Sequence, residues 1–310
     1  MNRLKNFDDL RQLAVQKTSQ HGALRLALAC AEDPYALKAL SKAKALGLVH
    51  PILVGCASRI KEIAEKSGVD LTGFEVIDEP KPRLAAAEAA VIVANGQADL
   101  LMKGKIMAFE FLEAALHDGI GLKKEHQIWT HVGVFWPQAL SRFLLVTDGG
   151  VIIDPGLEDI PKVIANALKV TEVLRISNPK IALLAAVETV YPNMPVAMGG
   201  AVISKMADRG QIKNAIIDGP LSLDVAISPE AAREKKVGGE VAGSADILVV
   251  NNIEVGNALC KSIFIFGQAQ SAGLVIGASK PIILSSRSES VDAKVNSIAL
   301  ATLLANREEC

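Results

Sequence analysis

Blocks of basic residues are missing from this sequence and aromatics are few: 33 Lys and Arg offset 34 Asp and Glu, and Phe, Trp and Tyr make up 4% of the residues. With neither a cationic stripe nor a row of stacking rings, a nucleic-acid partner is not expected. No apolar run approaches the roughly 18 residues that a membrane span needs, so no membrane partner is expected either. Met1 to Gln20 is polar and charged and lacks the apolar region of a secretory signal, which leads us to expect a cytoplasmic protein. Cys30, Cys56, Cys260 and Cys310 show no CxxC or metal-ligand spacing, and buried free thiols are the simplest reading of them. No metal site is expected. GxGxxG and GxxxxGK[ST] are both absent, so neither a Rossmann dinucleotide fingerprint nor a P-loop is supported.

What the sequence does contain is a rhythm. The chain has 310 residues, half of them apolar, enough for one large domain or two medium ones. A leading helix near Phe7 to Gln16 precedes strand patterns at Leu24–Ala31, Pro51–Val54, Phe74–Ile77 and Asp99–Met102, with helical patterns between them. This alternation predicts a parallel sheet covered on both faces. Ligands in such sheets gather beyond the carboxyl ends of the strands. Glu32, Lys103, Gly104 and Lys105 fall there. The two lysines read equally as an anion site or as solvated loop residues, whereas Glu32, just before Asp33-Pro34, reads as part of a turn or helix start.

The rhythm then changes. His131–Trp136 and Phe143–Thr147 are separated by a short segment beginning at Pro137, which predicts an antiparallel hairpin. We place the start of a second α/β domain here: 1–130 with 273–310 form the first, 131–272 the second. A long helix is expected over Leu157–Leu174, a strand over Ile181–Val187, a short helix over Ala201–Arg209 and a strand over Asn214–Ile217. Asp148, Glu188, Asp218 and Asp224 sit near strand ends, where caps and turns are ordinary roles. Ser228-Pro229-Glu230 opens a helix, Val237–Gly243 is a glycine-rich loop, and Glu254–Asn257 begins another helix. His131, within its strand, reads as a packed or hydrogen-bonded histidine.

The stretch with most chemistry is Ser285-Ser286-Arg287-Ser288-Glu289-Ser290. It joins a short buried strand, Lys280–Leu284, to a helix running from Val291 to about Asn306. A helix start presents unpaired amides and a partial positive charge, serine hydroxyls add donors, and a guanidinium forks onto a phosphate. A phosphate site is one reading. A serine-capped helix with a surface arginine is the other.

Several segments together resemble one family, the phosphate acetyl/butyryltransferases. They are Asp218-Gly219-Pro220-Leu221-x-x-Asp224, Val241-Ala242-Gly243-x-Ala245-Asp246-Ile247-Leu248, Asn252-x-x-x-Gly256-Asn257-x-x-x-Lys261, and Lys280-Pro281 with Ser285-Ser286-Arg287-x-x-Ser290. Ala98-Asp99 and Lys103-Gly104 agree more loosely. Ala186-Val187-Glu188-x-Val190-x-Pro192-Asn193-Met194-Pro195 and Asn296–Ala301 are similar to the butyryl branch. The chain departs from the acetyl branch at Ala293, which stands where an acidic residue is placed six positions past the Arg; Asp292 is beside it.

The resemblance implies the reaction acyl-CoA + phosphate ⇌ acyl phosphate + CoA, with a butyryl or other short-chain acyl group, or acetyl as the alternative. It also implies two α/β domains around a cleft, as in the isocitrate/isopropylmalate dehydrogenases, and a homodimer. No prosthetic group is expected; coenzyme A is a substrate, and direct transfer in a ternary complex suffices. The catalytic residues so implied are Arg287 for the phosphate, Ser286 for the reacting centre and Asp292 as base. Lys103, Gly104, Asp218, Gly243, Asn252, Gly256, Asn257, Ser285 and Ser290 are expected to bind substrate. One rival is a metal- and NAD-dependent hydroxy-acid dehydrogenase using Asp218 and Asp224. The other is a non-enzymatic two-lobed binding protein.

Overall fold

The computed structural model describes residues 3–117, 119–123, 127–287 and 289–305. Ser288, Asn306 and Cys310 lie outside the described residues. The chain forms two compact units, Phe7–Gln127 with Ala272–Cys310, and Met1–Asn6 with Ile128–Ser271.

The first unit begins with α1 (Phe7–His21), β1 (Leu24–Ala29), α2 (Pro34–Ala45), β2 (Val49–Gly55), α3 (Ala57–Ser67), β3 (Glu75–Asp78), α4 (Pro82–Ala94), β4 (Leu100–Lys103) and α5 (Ala108–Leu116). The second unit supplies β5 (Thr130–Trp136), β6 (Leu144–Thr147), α6 (Ile160–Val173), β7 (Lys180–Leu184), α7 (Pro195–Asp208), β8 (Ile216–Leu221), α8 (Leu223–Ile227), α9 (Pro229–Glu234), β9 (Ile247–Val249) and α10 (Ile253–Ile265). The chain then returns through β10 (Gln270–Ile276), β11 (Ile282–Ile283) and α11 (Val291–Ala305).

In the first unit the strand order is β3-β2-β1-β4-β11-β10. All neighbours run parallel except β10 and β11, which pair antiparallel through Leu274–Ile283 and Val275–Ile282. The short turn at Gly277 (φ 109°) explains this departure from an all-parallel sheet, because a parallel crossover needs a dozen residues or more. All four residues of β4 are buried, as expected for a strand covered on both faces. Asp33 opens α2: its carboxylate accepts the Tyr35 and Ala36 amides, and Pro34 starts the first turn. Glu32 accepts the Cys56 amide at 2.8 Å, just ahead of α3. α11 packs on α1, α2, β4 and β11 and is buried from Ala293 to Leu303 without interruption.

The second unit has the order β5-β6-β9-β7-β8. β5 and β6 form the antiparallel pair that their short connection predicts, and the remaining neighbours are parallel. Phe135, Leu144, Val146, Val225, Val241 and Leu248 fill its core. Ser228 caps α9 by accepting the Ala231 amide, with Pro229 in the first turn. Three details differ from the sequence reading. Asp218-Gly219-Pro220 lies within β8, not after it: Asp218 pairs with Ala182, and Leu221 with Leu184 across a register shift. An edge strand tolerates the proline, and Gly219 is needed because a Cβ there would stand 2.6 Å from the Leu183 Cβ. α7 begins at Pro195 instead of Ala201, since proline is compatible with a first helical turn. α5 and α8 are short helices that the periodicity does not reveal.

Candidate active site

In the first unit β4 and β11 run side by side, Leu101 level with Ile282 and Met102 with Ile283. Their carboxyl ends therefore deliver Lys103 next to the start of the serine-rich turn. Lys103 is 6% exposed, and its ammonium donates to the carbonyls of Gly104 (3.1 Å) and Ile106 (3.3 Å). Gly104 is required by close approach: a Cβ there would fall 2.3 Å from the Cys30 oxygen and 2.6 Å from that of Ala29. The same turn is tied to the end of β1, since the Gly104 and Lys105 amides donate to Ala29 and Cys30 at 2.8 Å. Lys105 itself is exposed and lines a recess of about 410 Å³ with Glu32 and Arg59.

On the other side of the site, Ser285 is buried and accepts a hydrogen bond from Lys294 at 3.0 Å. Lys294 also donates to the Ser286 carbonyl at 2.9 Å. Ser286 is half-buried, and Arg287 is exposed with its guanidinium 3.5 Å from the Met107 sulfur. Ser290 caps α11 by accepting the Ala293 amide at 3.1 Å. Asp292 points elsewhere: its carboxylate is exposed and ion-paired with Lys42 at 2.6 Å. The structure thus gathers Lys103, Gly104, Ser285, Ser286 and Arg287, and gives Ser290 and Asp292 other partners.

Lys294 is the residue that sequence reasoning missed. It is 1% exposed. The signal was available: between Ala293 and Ala305 it is the sole charged residue of a helix otherwise apolar or small on every side. Burial pulls its pKa down, opposed by Glu289 and Asp33. The Lys103 pKa falls to about 8, chiefly through burial, then through the charges of Lys294 and Arg287; Asp33 and Glu289 oppose.

In the second unit the motif residues secure loops. Gly256 abuts the loop after β6, where a Cβ would fall 2.4 Å from the Asp148 oxygen, and the Asn257 amide donates to the Gly149 carbonyl at 3.3 Å. Asp148 fastens that loop by accepting amides from His131, Gly150 and Val151. Asn252 caps α10 by accepting the Val255 amide at 2.9 Å. Gly243 takes φ 76° with its Cβ direction 2.6 Å from the Pro229 Cα, so only glycine fits. Asp218 accepts the Gly219 amide at 2.8 Å.

Asp224 and Glu188 share the Ser222 hydroxyl and Lys235; the hydroxyl first and then the ammonium hold Asp224 down to about 2 and lower Glu188. Asp218 and Asp224 thus have separate partners. His131 is half-buried, and desolvation lowers its pKa against the pull of Asp148. Of the thiols, Cys30 is buried and pushed up to about 12, first by burial and then by Glu32. Cys56 and Cys260 are only partly buried, a correction to the expectation of buried thiols; Cys56 sits in the turn ahead of α3.

A family model described as "Phosphate acetyl/butaryl transferase" matches residues 81–302. The chain is 39% identical to a phosphate butyryltransferase of Clostridium acetobutylicum, over 98% of this chain and 100% of that one. It is 38% identical to a phosphate acetyltransferase of Rhizobium meliloti, over 89% of this chain and 87% of that one. Among solved structures, a branched-chain phosphotransacylase from Enterococcus faecalis V583 superposes with a TM-score of 0.79 at 31% identity, covering 92% of this chain and all of that one.

Proposed function

The chain belongs to the phosphate acetyl/butyryl transferase family, and on that premise we propose that it transfers a short acyl group between coenzyme A and inorganic phosphate: acyl-CoA + phosphate ⇌ acyl phosphate + CoA. One observation carries the placing of the site. Where β4 and β11 end, Lys103 bonds to Ile106 and Arg287 to its neighbour Met107, close enough for the guanidinium charge to act on Lys103, and among the described residues neither is paired with a carboxylate. Cations left so have an anion to receive.

In the proposed reaction a phosphate oxygen attacks the thioester carbon, a tetrahedral oxyanion forms, and the C–S bond breaks to release thiolate. Arg287 and Lys103 hold the phosphate. The Ser286 hydroxyl donates toward the developing oxyanion, the kind of fixed dipole that lowers such barriers. The cationic surroundings favour the thiolate of CoA over its thiol. No prosthetic group and no acyl-enzyme is needed, and Asp292, engaged with Lys42, is not required as a base. The nicotinamide-dependent alternative is not favoured, since the relatives are named as acyltransferases.

A homodimer is part of the proposal. α10 buries only Gly256, and beside it Val255, Ile265 and Phe266 are 41%, 59% and 84% exposed. An apolar helix left so open suits a second copy. A cytoplasmic setting is proposed with it, supported by the free thiols of Cys30, Cys56 and Cys260. The deciding experiment is thiol release from acetyl-, propionyl-, butyryl- and isobutyryl-CoA in the presence of phosphate. Branched or four-carbon esters are expected to rank highest in kcat/KM; no phosphate-dependent release from any of them refutes the proposal.

A further inference from the structure

Lys103 and Lys294 reach one place from different elements, the end of β4 and the first turn of α11, and both are buried. Among the described residues each bonds only to neutral oxygens: Lys103 to the Gly104 and Ile106 carbonyls, Lys294 to the Ser285 hydroxyl and the Ser286 carbonyl. Burying an ion without a counter-ion is costly. Among the described residues five titratable groups act electrostatically with Lys103: Cys30 at the end of β1, Asp33 at the start of α2, Arg287 and Glu289 in the turn after β11, and Lys294. Asp33 is already committed to two amides of α2. Three cations therefore stand against two carboxylates.

We infer that Lys103 and Lys294 form a clamp for the same oxyanion that Arg287 meets, and that closing this clamp on a dianion takes up a proton from solvent onto Lys103. The inference rests on the phosphate site proposed above and adds the charge state in which that site binds. Free Lys103 titrates near 8, so above that pH part of the population has a neutral amine. A bound dianion favours the ammonium and raises its pKa. Affinity is then full below the free value and falls about tenfold per pH unit as pH rises above it, until the bound-state value is passed. Cys30, pushed up to about 12, stays neutral throughout this window.

Calorimetric titration of the full chain with inorganic phosphate, from about pH 7.5 to 9.5 in two buffers of unlike ionisation enthalpy, reads both quantities. The wild type is expected to take up a proton and to lose roughly tenfold in affinity per unit above pH 8. Lys103→Arg keeps its charge, so uptake and slope should both vanish. Lys294→Met should weaken phosphate at every pH and shift the slope upward, because the repulsion on Lys103 is gone; if that variant fails to fold, wild type and Lys103→Arg decide alone. Phosphate bound with a flat pH profile, or a slope that persists in Lys103→Arg, overturns the clamp and leaves the phosphate site standing. A wild type that binds no phosphate at any pH removes the site and the clamp together.

Discussion

Arg287→Ala is expected to lose about two orders of magnitude in kcat/KM for phosphate while the circular dichroism melt stays unchanged, the usual cost of removing one charged contact of a few kcal/mol. Its guanidinium is exposed and holds up nothing else among the described residues; a variant that keeps full phosphate kcat/KM would strip Arg287 of its role. Gly104→Ala should act through stability instead, by about 1–3 kcal/mol, since its Cβ has nowhere to go against the Cys30 and Ala29 oxygens. An unchanged melting temperature would contradict that packing. At this scale the Ser-Arg turn was legible, because a strand pattern followed by serines and a helix pattern is a local signal. The direction of Asp292 was not: residues two apart on a helix point about 200° apart, so Asp292 meets Lys42 while Lys294 turns inward.

Caps hold the elements that bear the motifs. Asn252→Ala should cost about 1 kcal/mol through loss of the α10 cap, whereas Asn252→Asp keeps it. Comparing the two separates capping from binding: a transferase loss shared by both variants, with the Asp form still thermally intact, would assign the amide a ligand contact as well. Helix starts marked by Asp33-Pro34 and Ser228-Pro229 were readable because the capping side chain and the proline are adjacent in sequence. The extension of β8 through Asp218-Gly219-Pro220 was not, since it depends on a register shift against β7, a non-local pairing. α5 and α8 span nine and five residues, too short for periodicity to distinguish from a loop.

For the molecule entire, Phe266→Glu is expected to convert the proposed dimer to a monomer in analytical ultracentrifugation without unfolding it, because Phe266 touches solvent over most of its area. A dimer that survives the change would move the interface away from α10. The Glu188–Asp224–Lys235 group contributes to acid stability. Both carboxylates are depressed below their unfolded values, so their contribution is present above about pH 4 and is lost as pH falls toward 2. Lys235→Met should therefore flatten the fall in melting temperature over that interval. The burial of α11 from Ala293 to Leu303 has a consequence for heating as well. Its amides are expected to exchange with deuterium only when the first unit opens as one body. The turn that follows β11 hangs from that helix through Ser290 and Lys294. Thermal inactivation should therefore track the cooperative melting of this unit and not precede it.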